Sequence, residues 1–259
     1  MKKIYFAALA LALTACVSNE DLNPVDNYGY IDLNVSNDPI VETRTTPTSV
    51  NINNKYWFVT IGQTEYTGSN QAFTAGEYSI IVKTHTDVTT ANQKGNWGEA
   101  YYDNQGKNPA DKVTVVAGTT VTPEINCGKA KNARISVQFT EQFTNVFKTY
   151  KFKITAPREL TFDNQNKYIS ENSSDNKYAY FNGDQALTVT LLYDKAENVE
   201  NPSLSISPQI SLGAAGTEKI ISVTANTHGN IQLNITTEGF GTPTTETLTF
   251  DAATGNKVQ

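Results

Sequence analysis

The sequence has few of the residues on which disulfide frameworks, zinc sites and many catalytic centres depend. Its 259 residues include two cysteines, two histidines and one methionine. A secreted chain without a disulfide framework must be stabilised by a hydrophobic core, and this chain is long enough to form one. His85 and His228 lie far apart and have no close sequence partner of a zinc-binding type. The sequence therefore predicts no metal site and no cofactor.

Short enzyme motifs are also lacking. The chain contains no Gly-x-Ser-x-Gly turn and no Gly-rich phosphate-binding loop. Charged residues make up only 18% of the chain, and the acids are scattered over predicted strand faces and turns. A carboxylate pair of the glycoside-hydrolase type stays open, because the two acids can be distant in sequence. We expect a protein that is not an enzyme and has no catalytic residues.

No segment is strongly basic. The formal net charge is −6 and the isoelectric point is about 5.0. Phosphate backbones and anionic lipid heads attract positive surfaces, so this charge argues against nucleic acid as a partner.

The N-terminus has the pattern of an export signal. Two lysines precede an apolar run at 4–13, which is too short to span a bilayer of roughly 30 Å as a helix. The run closes with Leu-Thr-Ala-Cys at 13–16, which resembles the bacterial lipobox, whose cysteine thiol is acylated before cleavage. The alternative is an ordinary secretory signal with a chance cysteine. We predict a lipoprotein signal peptide over 1–15 and lipidation of Cys16, which makes the outer membrane a partner through the lipid.

A polar tether over 16–28 follows. Its acidic residues Glu20 and Asp21 resemble the signal that sends Bacteroides lipoproteins to the outer face of the outer membrane, although a plain flexible linker explains them nearly as well. We therefore expect a lipid-anchored outer-membrane protein at the cell surface. If Cys16 carries lipid, Cys127 has no partner in the chain, and a lone thiol in an apolar context is usually buried.

Strand patterns dominate the rest of the chain. Between 29 and 36, apolar residues at odd positions alternate with polar residues at even positions, which predicts a strand with one solvent face. Similar runs recur at intervals of about 8–12 residues, separated by Gly, Asn, Pro and Asp turns. One short helix is predicted over 140–149, with Thr140 as N-cap and with Phe143, Val146 and Phe147 at helical spacing. The pattern favours an all-β fold of two successive β-sandwich domains, 29–126 and 127–259.

One aromatic cluster stands in a long polar stretch. Trp97, Tyr101 and Tyr102 are bracketed by glycine and flanked by amides and carboxylates. Flat rings beside such groups suit sugar recognition, so these three residues are candidate ligand-binding residues. The alternative is that the rings hold a long crossing loop against the sandwich, because free loops of this length are rare in compact domains.

Six short motifs occur in order along the first half of the chain. They are Gly29–Ser36, Thr43–Thr45, Thr74–Tyr78, Ala100–Tyr102, Val116–Thr119 and Asn126–Gly128. Their order resembles a family of Bacteroides surface lipoproteins catalogued mainly as a domain of unknown function. The resemblance covers roughly 29–165.

The layout also resembles, more distantly, the fimbrillin-like proteins of the same bacteria. That resemblance implies transthyretin-like or immunoglobulin-like Greek-key sandwiches and a structural or adhesive role at the cell surface. In some fimbrillins an arginine-specific protease cuts in the N-terminal region, and Arg44 is the matching candidate processing site. This chain departs from the fimbrillin pattern at its C-terminal end, where residues 254–259 are polar and show no obvious donor strand. The expected function is a non-enzymatic structural or adhesive surface lipoprotein that contacts surface proteins or glycans, and the alternative is a surface glycan-binding lipoprotein.

Overall fold

The computed structural model describes residues 27–37, 50–51, 57–93, 97–107, 109–163, 178–227, 229–239 and 242–258. Strands are the main secondary structure of these residues, and two short helices occur among them, α1 (Val88–Gln93) and α2 (Glu141–Val146). The predicted all-β sandwich class is therefore confirmed. Within these ranges no helix combines the length and the apolar character that crossing a membrane requires. The predicted signal peptide, Cys16 and Arg44 lie outside the described residues.

The first half of the chain forms three sheets, whose strand orders are β6-β1-β9, β10-β2-β3 and β5-β4-β7-β8. The strands are β1 (Tyr28–Ile31), β2 (Asn34–Ser36), β3 (Val50–Asn51), β4 (Phe58–Ile61), β5 (Thr64–Glu65), β6 (Ala72–Thr74), β7 (Gly76–Lys83), β8 (Lys112–Val115), β9 (Thr120–Val121) and β10 (Glu124–Asn126). All three sheets contribute apolar side chains to one buried cluster.

Strands β1 and β2 are two parts of one extended segment. Burial alternates without a break from exposed Tyr28 to buried Val35, as the sequence pattern predicts. The segment runs parallel to β9 and β10 with one constant register, pairing Tyr30 with Thr120 and Asn34 with Glu124. Pro123 lies between β9 and β10 and has no N–H to donate to the facing strand. The ladder is therefore interrupted there, and the single predicted strand becomes two.

The second half forms two facing sheets. Their orders are β14-β11-β18-β19-β20 and β13-β12-β15-β16, with β17 also paired to β15. The strands are β11 (Asn132–Phe139), β12 (Thr149–Ala156), β13 (Leu160–Asp163), β14 (Tyr178–Asn182), β15 (Ala186–Asp194), β16 (Leu204–Ile206), β17 (Gln209–Ser211), β18 (Glu218–Ala225), β19 (Asn230–Glu238) and β20 (Thr244–Asp251). Both sheets fill a second apolar cluster, which makes this half a sandwich.

The two apolar clusters divide the described chain near residue 131. The first draws on residues between Ile31 and Ala130, and the second on residues between Ala133 and Ala252. Cys127 belongs to the first cluster, although the predicted second domain begins at 127. The domain limits 29–126 and 127–259 stay predictions.

Three local predictions differ in outcome. Thr140 does cap α2, and its hydroxyl accepts the N–H of Phe143, as predicted. The spacing of Phe143, Val146 and Phe147 predicts one buried side, but only the two phenylalanines are buried; Val146, the last residue of α2, is exposed. Helix α1 was not predicted, since its sequence Val-Thr-Thr-Ala-Asn-Gln has no apolar period; the Asp87 carboxylate caps it by accepting the N–H of Thr90.

Candidate functional site

The predicted aromatic loop does not present a stacking surface. Tyr101 and Tyr102 are only 6% and 8% exposed. Trp97 is half-buried against the second apolar cluster, and the edge of its indole meets the Phe162 ring with centroids 4.9 Å apart. Sugar stacking needs open ring faces. Two of the three rings are therefore closed to a sugar, and ligand binding by Trp97, Tyr101 and Tyr102 stays a prediction.

Asn132 is the residue that fixes this loop. Its buried amide oxygen accepts the N–H of Tyr101 at 3.0 Å, and its amide nitrogen donates to the Glu99 carbonyl at 2.8 Å and to Asn92 Oδ1 at 2.9 Å. Asn92, on α1, in turn donates to Asn182 on β14 at 2.9 Å. The network joins elements from both halves of the chain. Asn132 begins β11, so the loop is tied directly to the second sandwich.

Arg158 holds the other end of the loop. Its Nη2 donates to the carbonyls of Trp97 and Tyr180 at 3.0 and 2.6 Å, and its guanidinium lies 4.2 Å from the centre of the Phe181 ring. Burial lowers the pKa of Arg158 to about 10, so the group stays charged at neutral pH. Trp97 thus serves as a support between the two halves.

A buried ion pair lies beside this junction, on the outward face of the β14-β11-β18-β19-β20 sheet. Arg134 and Glu218 side chains are 18% and 5% exposed, and Glu218 Oε2 accepts from both Nε and Nη2 of Arg134 at 2.9 and 2.5 Å. Glu218 Oε1 accepts the Ser136 hydroxyl, and the Arg134 guanidinium lies 4.0 Å from the Tyr178 ring centre. Burial alone lowers the pKa of Arg134, but the charge and hydrogen bonds of Glu218 outweigh it and leave the pKa raised.

Open aromatic rings occur instead on the first segment. Tyr28 and Tyr30 are 51% and 41% exposed, and the same side of the segment continues with exposed Asp32 and Asn34. We call these four residues the first-segment face. The sequence analysis missed the two tyrosines. The alternation predicted for 29–36, extended back to Tyr28, places them on the polar side and could have found them.

The backbone behind this face is closely packed. A Cβ atom at Gly29 would lie 2.3 Å from the carbonyl oxygen of Val116 and 2.9 Å from that of Thr119. Gly118 N–H donates to the Tyr28 carbonyl, and Tyr30 N–H donates to the Thr119 carbonyl, both at 2.8 Å. Only glycine allows the 116–119 turn to approach so closely. The turn therefore anchors the segment from behind while its two rings point outward.

A cleft of about 730 Å³ opens at one end of the second sandwich. Its walls come from the end of α2, the β15–β16 and β18–β19 connections, and the turn after β20. Apolar side chains contribute much of its lining: Val146, Phe147, Leu204, Ala225, Ala252 and Ala253.

Charged side chains also line the cleft. They are those of Asp194, Lys195 and Asp251. The N–H of Ala196 and the Ser203 hydroxyl lower the pKa of Asp194, and the N–H and hydroxyl of Thr254 lower the pKa of Asp251. Both carboxylates are therefore ionised at neutral pH. A lining that mixes apolar and charged side chains is typical of protein contact sites.

The described residues contain no group of three histidine, cysteine, aspartate or glutamate side chains able to hold a metal ion. His85 lies 3.1 Å from the Glu99 carboxylate, and His228 is outside the described residues. Cys127 is buried, as predicted, and burial raises the pKa of its thiol to about 12. It therefore acts as a small apolar residue.

Three solved structures show limited similarity to the chain. A Bacteroides ovatus protein provisionally assigned to cell adhesion is 10% identical, with 83% of this chain and 99% of that chain covered and a TM-score of 0.43. A leucine-rich repeat protein from Bacteroides thetaiotaomicron is 9% identical, with 76% and 26% covered and a TM-score of 0.21. The C-terminal fragment of the pilus adhesin SpaC from Lactobacillus rhamnosus GG is 15% identical, with 87% and 93% covered and a TM-score of 0.20.

Because all three TM-scores are low, the functional argument rests on the surface of this chain. A search of curated proteins finds no match. A family model does match, over residues 27–252, and it describes a domain of unknown function, DUF4493. The match spans both halves of the described structure and agrees with the resemblance to Bacteroides surface proteins of unknown function. The chain belongs to the DUF4493 family.

Proposed function

We propose that this chain is a non-catalytic cell-surface protein that makes adhesive contacts through the cleft of its second sandwich. The observation that carries the proposal is the shape and lining of that cleft. Loops at the end of a sandwich form it, and its lining combines apolar side chains with two ionised carboxylates. Loops on a rigid sandwich are a common place for binding residues, because the scaffold fixes them without constraining their sequence.

Anchoring at the cell surface is part of the same proposal. The lipobox-like sequence ending at Cys16 supports a lipid anchor in the outer membrane, with a polar tether leading to β1. Processing at Arg44 would separate this anchor and the first segment from the rest of the chain. The segment is paired on both sides, by β9 and β10 along one edge and by β6 and β3 along the other. Its loss would therefore open a strand-shaped groove in the first core.

The adhesive proposal is tested by placing a charge in the cleft. Val146 is exposed at the cleft wall, so Val146→Glu should leave folding unchanged while disrupting an apolar contact. Beads coated with the full chain are tested for retention on surfaces of mucin, type I collagen and fibronectin. We expect retention on at least one surface and at least a tenfold loss with Val146→Glu.

Phe58→Glu is the matched control, since Phe58 is also an exposed apolar residue but lies on β4 in the first half. Beads coated with Phe58→Glu should be retained as well as beads coated with the unmodified chain. Equal retention of Val146→Glu and Phe58→Glu, or no retention on any of the three surfaces, would contradict the proposal.

A further inference from the structure

We propose that the first-segment face, formed by Tyr28, Tyr30, Asp32 and Asn34, binds a neutral oligosaccharide. This goes beyond the proposed adhesive function and does not depend on the cleft. Pairs of large exposed aromatic side chains on one side of a strand are unusual on a surface that contacts only water.

The two rings define the size of the ligand. Residues two apart on a strand repeat at roughly 6.5 Å, so Tyr28 and Tyr30 offer two separate stacking positions. Each ring can cover the apolar side of one sugar. A ligand that uses both positions has at least two sugar residues, which selects an oligosaccharide over a monosaccharide.

Hydrogen-bonding groups continue in line with the rings. The carboxylate of Asp32 and the amide of Asn34 follow Tyr30 at the same two-residue spacing. Thr74 faces Tyr28 on β6, and Thr120 faces Tyr30 on β9, so hydroxyl groups flank each ring. Sugar hydroxyls donate to carboxylates and amides and exchange hydrogen bonds with hydroxyl groups. The face thus combines the apolar and polar contacts that carbohydrate recognition requires.

Charge on the face selects a neutral ligand. Glu124 faces Asn34 on β10, so the polar end carries two carboxylates, those of Asp32 and Glu124. Among the described residues of β6, β9 and β10 that pair with this face, none carries a positive charge. Uronic acids, sulfated sugars and anionic lipid heads would meet like charge there. Neutral sugars do not.

The face is also ordered before binding. The hydrogen bonds from the 116–119 turn and the pairing of β1 with both β6 and β9 hold the backbone of both tyrosines. A ligand therefore meets rings on a fixed strand, which lowers the entropy cost of association.

Native affinity electrophoresis of the full chain in non-ionic detergent tests the inference. The gels contain yeast mannan, barley β-glucan or xylan as neutral probes, and polygalacturonate or heparin as acidic probes. We expect retardation by at least one neutral probe and by neither acidic probe. Tyr28→Ala/Tyr30→Ala should raise the apparent dissociation constant at least tenfold, and Asp32→Ala should raise it by a smaller factor.

Phe58→Ala removes an equally exposed ring from another strand and should leave retardation unchanged. All variants should keep the unfolding midpoint of the parent, because the replaced side chains are exposed. The inference is overturned if no neutral gel retards the chain, or if the acidic probes retard it more strongly. It is also overturned if the double variant Tyr28→Ala/Tyr30→Ala is retarded as strongly as the unmodified chain. Binding of the tyrosine face to phosphatidylcholine vesicles in place of polysaccharide would also overturn it. The Val146→Glu variant should bind the neutral probe normally, which separates this test from that of the cleft.

Discussion

Glu218→Ala should lower the free energy of unfolding of the second sandwich by about 3–5 kcal/mol, because it leaves the Arg134 charge buried without its partner. The carboxylate is 5% exposed and accepts three hydrogen bonds, two from Arg134 and one from Ser136. Urea denaturation followed by circular dichroism gives the midpoint and slope from which this loss is obtained.

Two further variants test whether this loss of stability comes from the buried ion pair. Glu77→Ala breaks the Glu77–Lys112 pair, whose side chains are 59% and 57% exposed, and should cost about 0–1 kcal/mol. The double variant Arg134→Met/Glu218→Leu removes both charges and should recover much of the stability, since apolar replacements of a buried pair are often neutral. If Glu218→Ala costs no more than Glu77→Ala, the ion pair does not stabilise the junction.

Asn132→Ala should cost about 3 kcal/mol or more, because three groups lose their partner at once. The Tyr101 N–H, the Glu99 carbonyl and Asn92 Oδ1 all bond to this one amide. Each buried polar group left unpaired costs about 1–3 kcal/mol. Urea denaturation measures the total, and amide hydrogen exchange at Tyr101 reports whether the loop itself has loosened.

Asn126→Ala is the matched control for that prediction. Asn126 is exposed, and its side-chain oxygen accepts one backbone bond, from Gly128 at 2.7 Å. We expect a loss of about 1 kcal/mol or less and no change in exchange at Tyr101. A similar loss for both variants would mean that the Asn132 amide does not tie the loop to the second sandwich.

These two predictions depend on contacts that no local sequence pattern reveals. Arg134 and Glu218 are 84 positions apart, and Asn132 and Asn92 are 40 apart. Periodicity reports which side of a strand is buried, but it carries no information on which distant side chain lies opposite. The aromatic loop was therefore identified from its composition, but the burial of its tyrosine rings could be seen only in the folded structure.

Where the prediction for the first segment rested on alternation, it agreed with the structure. Ile31, Leu33 and Val35 are buried, as their alternation with polar residues indicates. The same rule fails for strand ends, where Pro123 interrupts one ladder and where Pro208 separates β16 from β17. The alternation also extends beyond the predicted strand, because Tyr28, one residue before it, is exposed in the same pattern.

The position of the open aromatic surface has the widest consequence for function. If Tyr28 and Tyr30 are the rings open to solvent, an oligosaccharide meets the first-segment face. The Trp97–Tyr102 loop then only supports the junction between the two halves of the chain. Burial and a hydrogen bond to Asp103 also raise the pKa of Tyr101, which makes its phenol less reactive.

Nitration of the folded full chain with tetranitromethane, mapped by peptide mass spectrometry, distinguishes these two surfaces. We predict rapid modification of Tyr28 and Tyr30 and protection of Tyr101 and Tyr102, with all four modified after denaturation in urea. Rapid nitration of Tyr101 and Tyr102 in the folded chain, or protection of Tyr28 and Tyr30, would contradict the account.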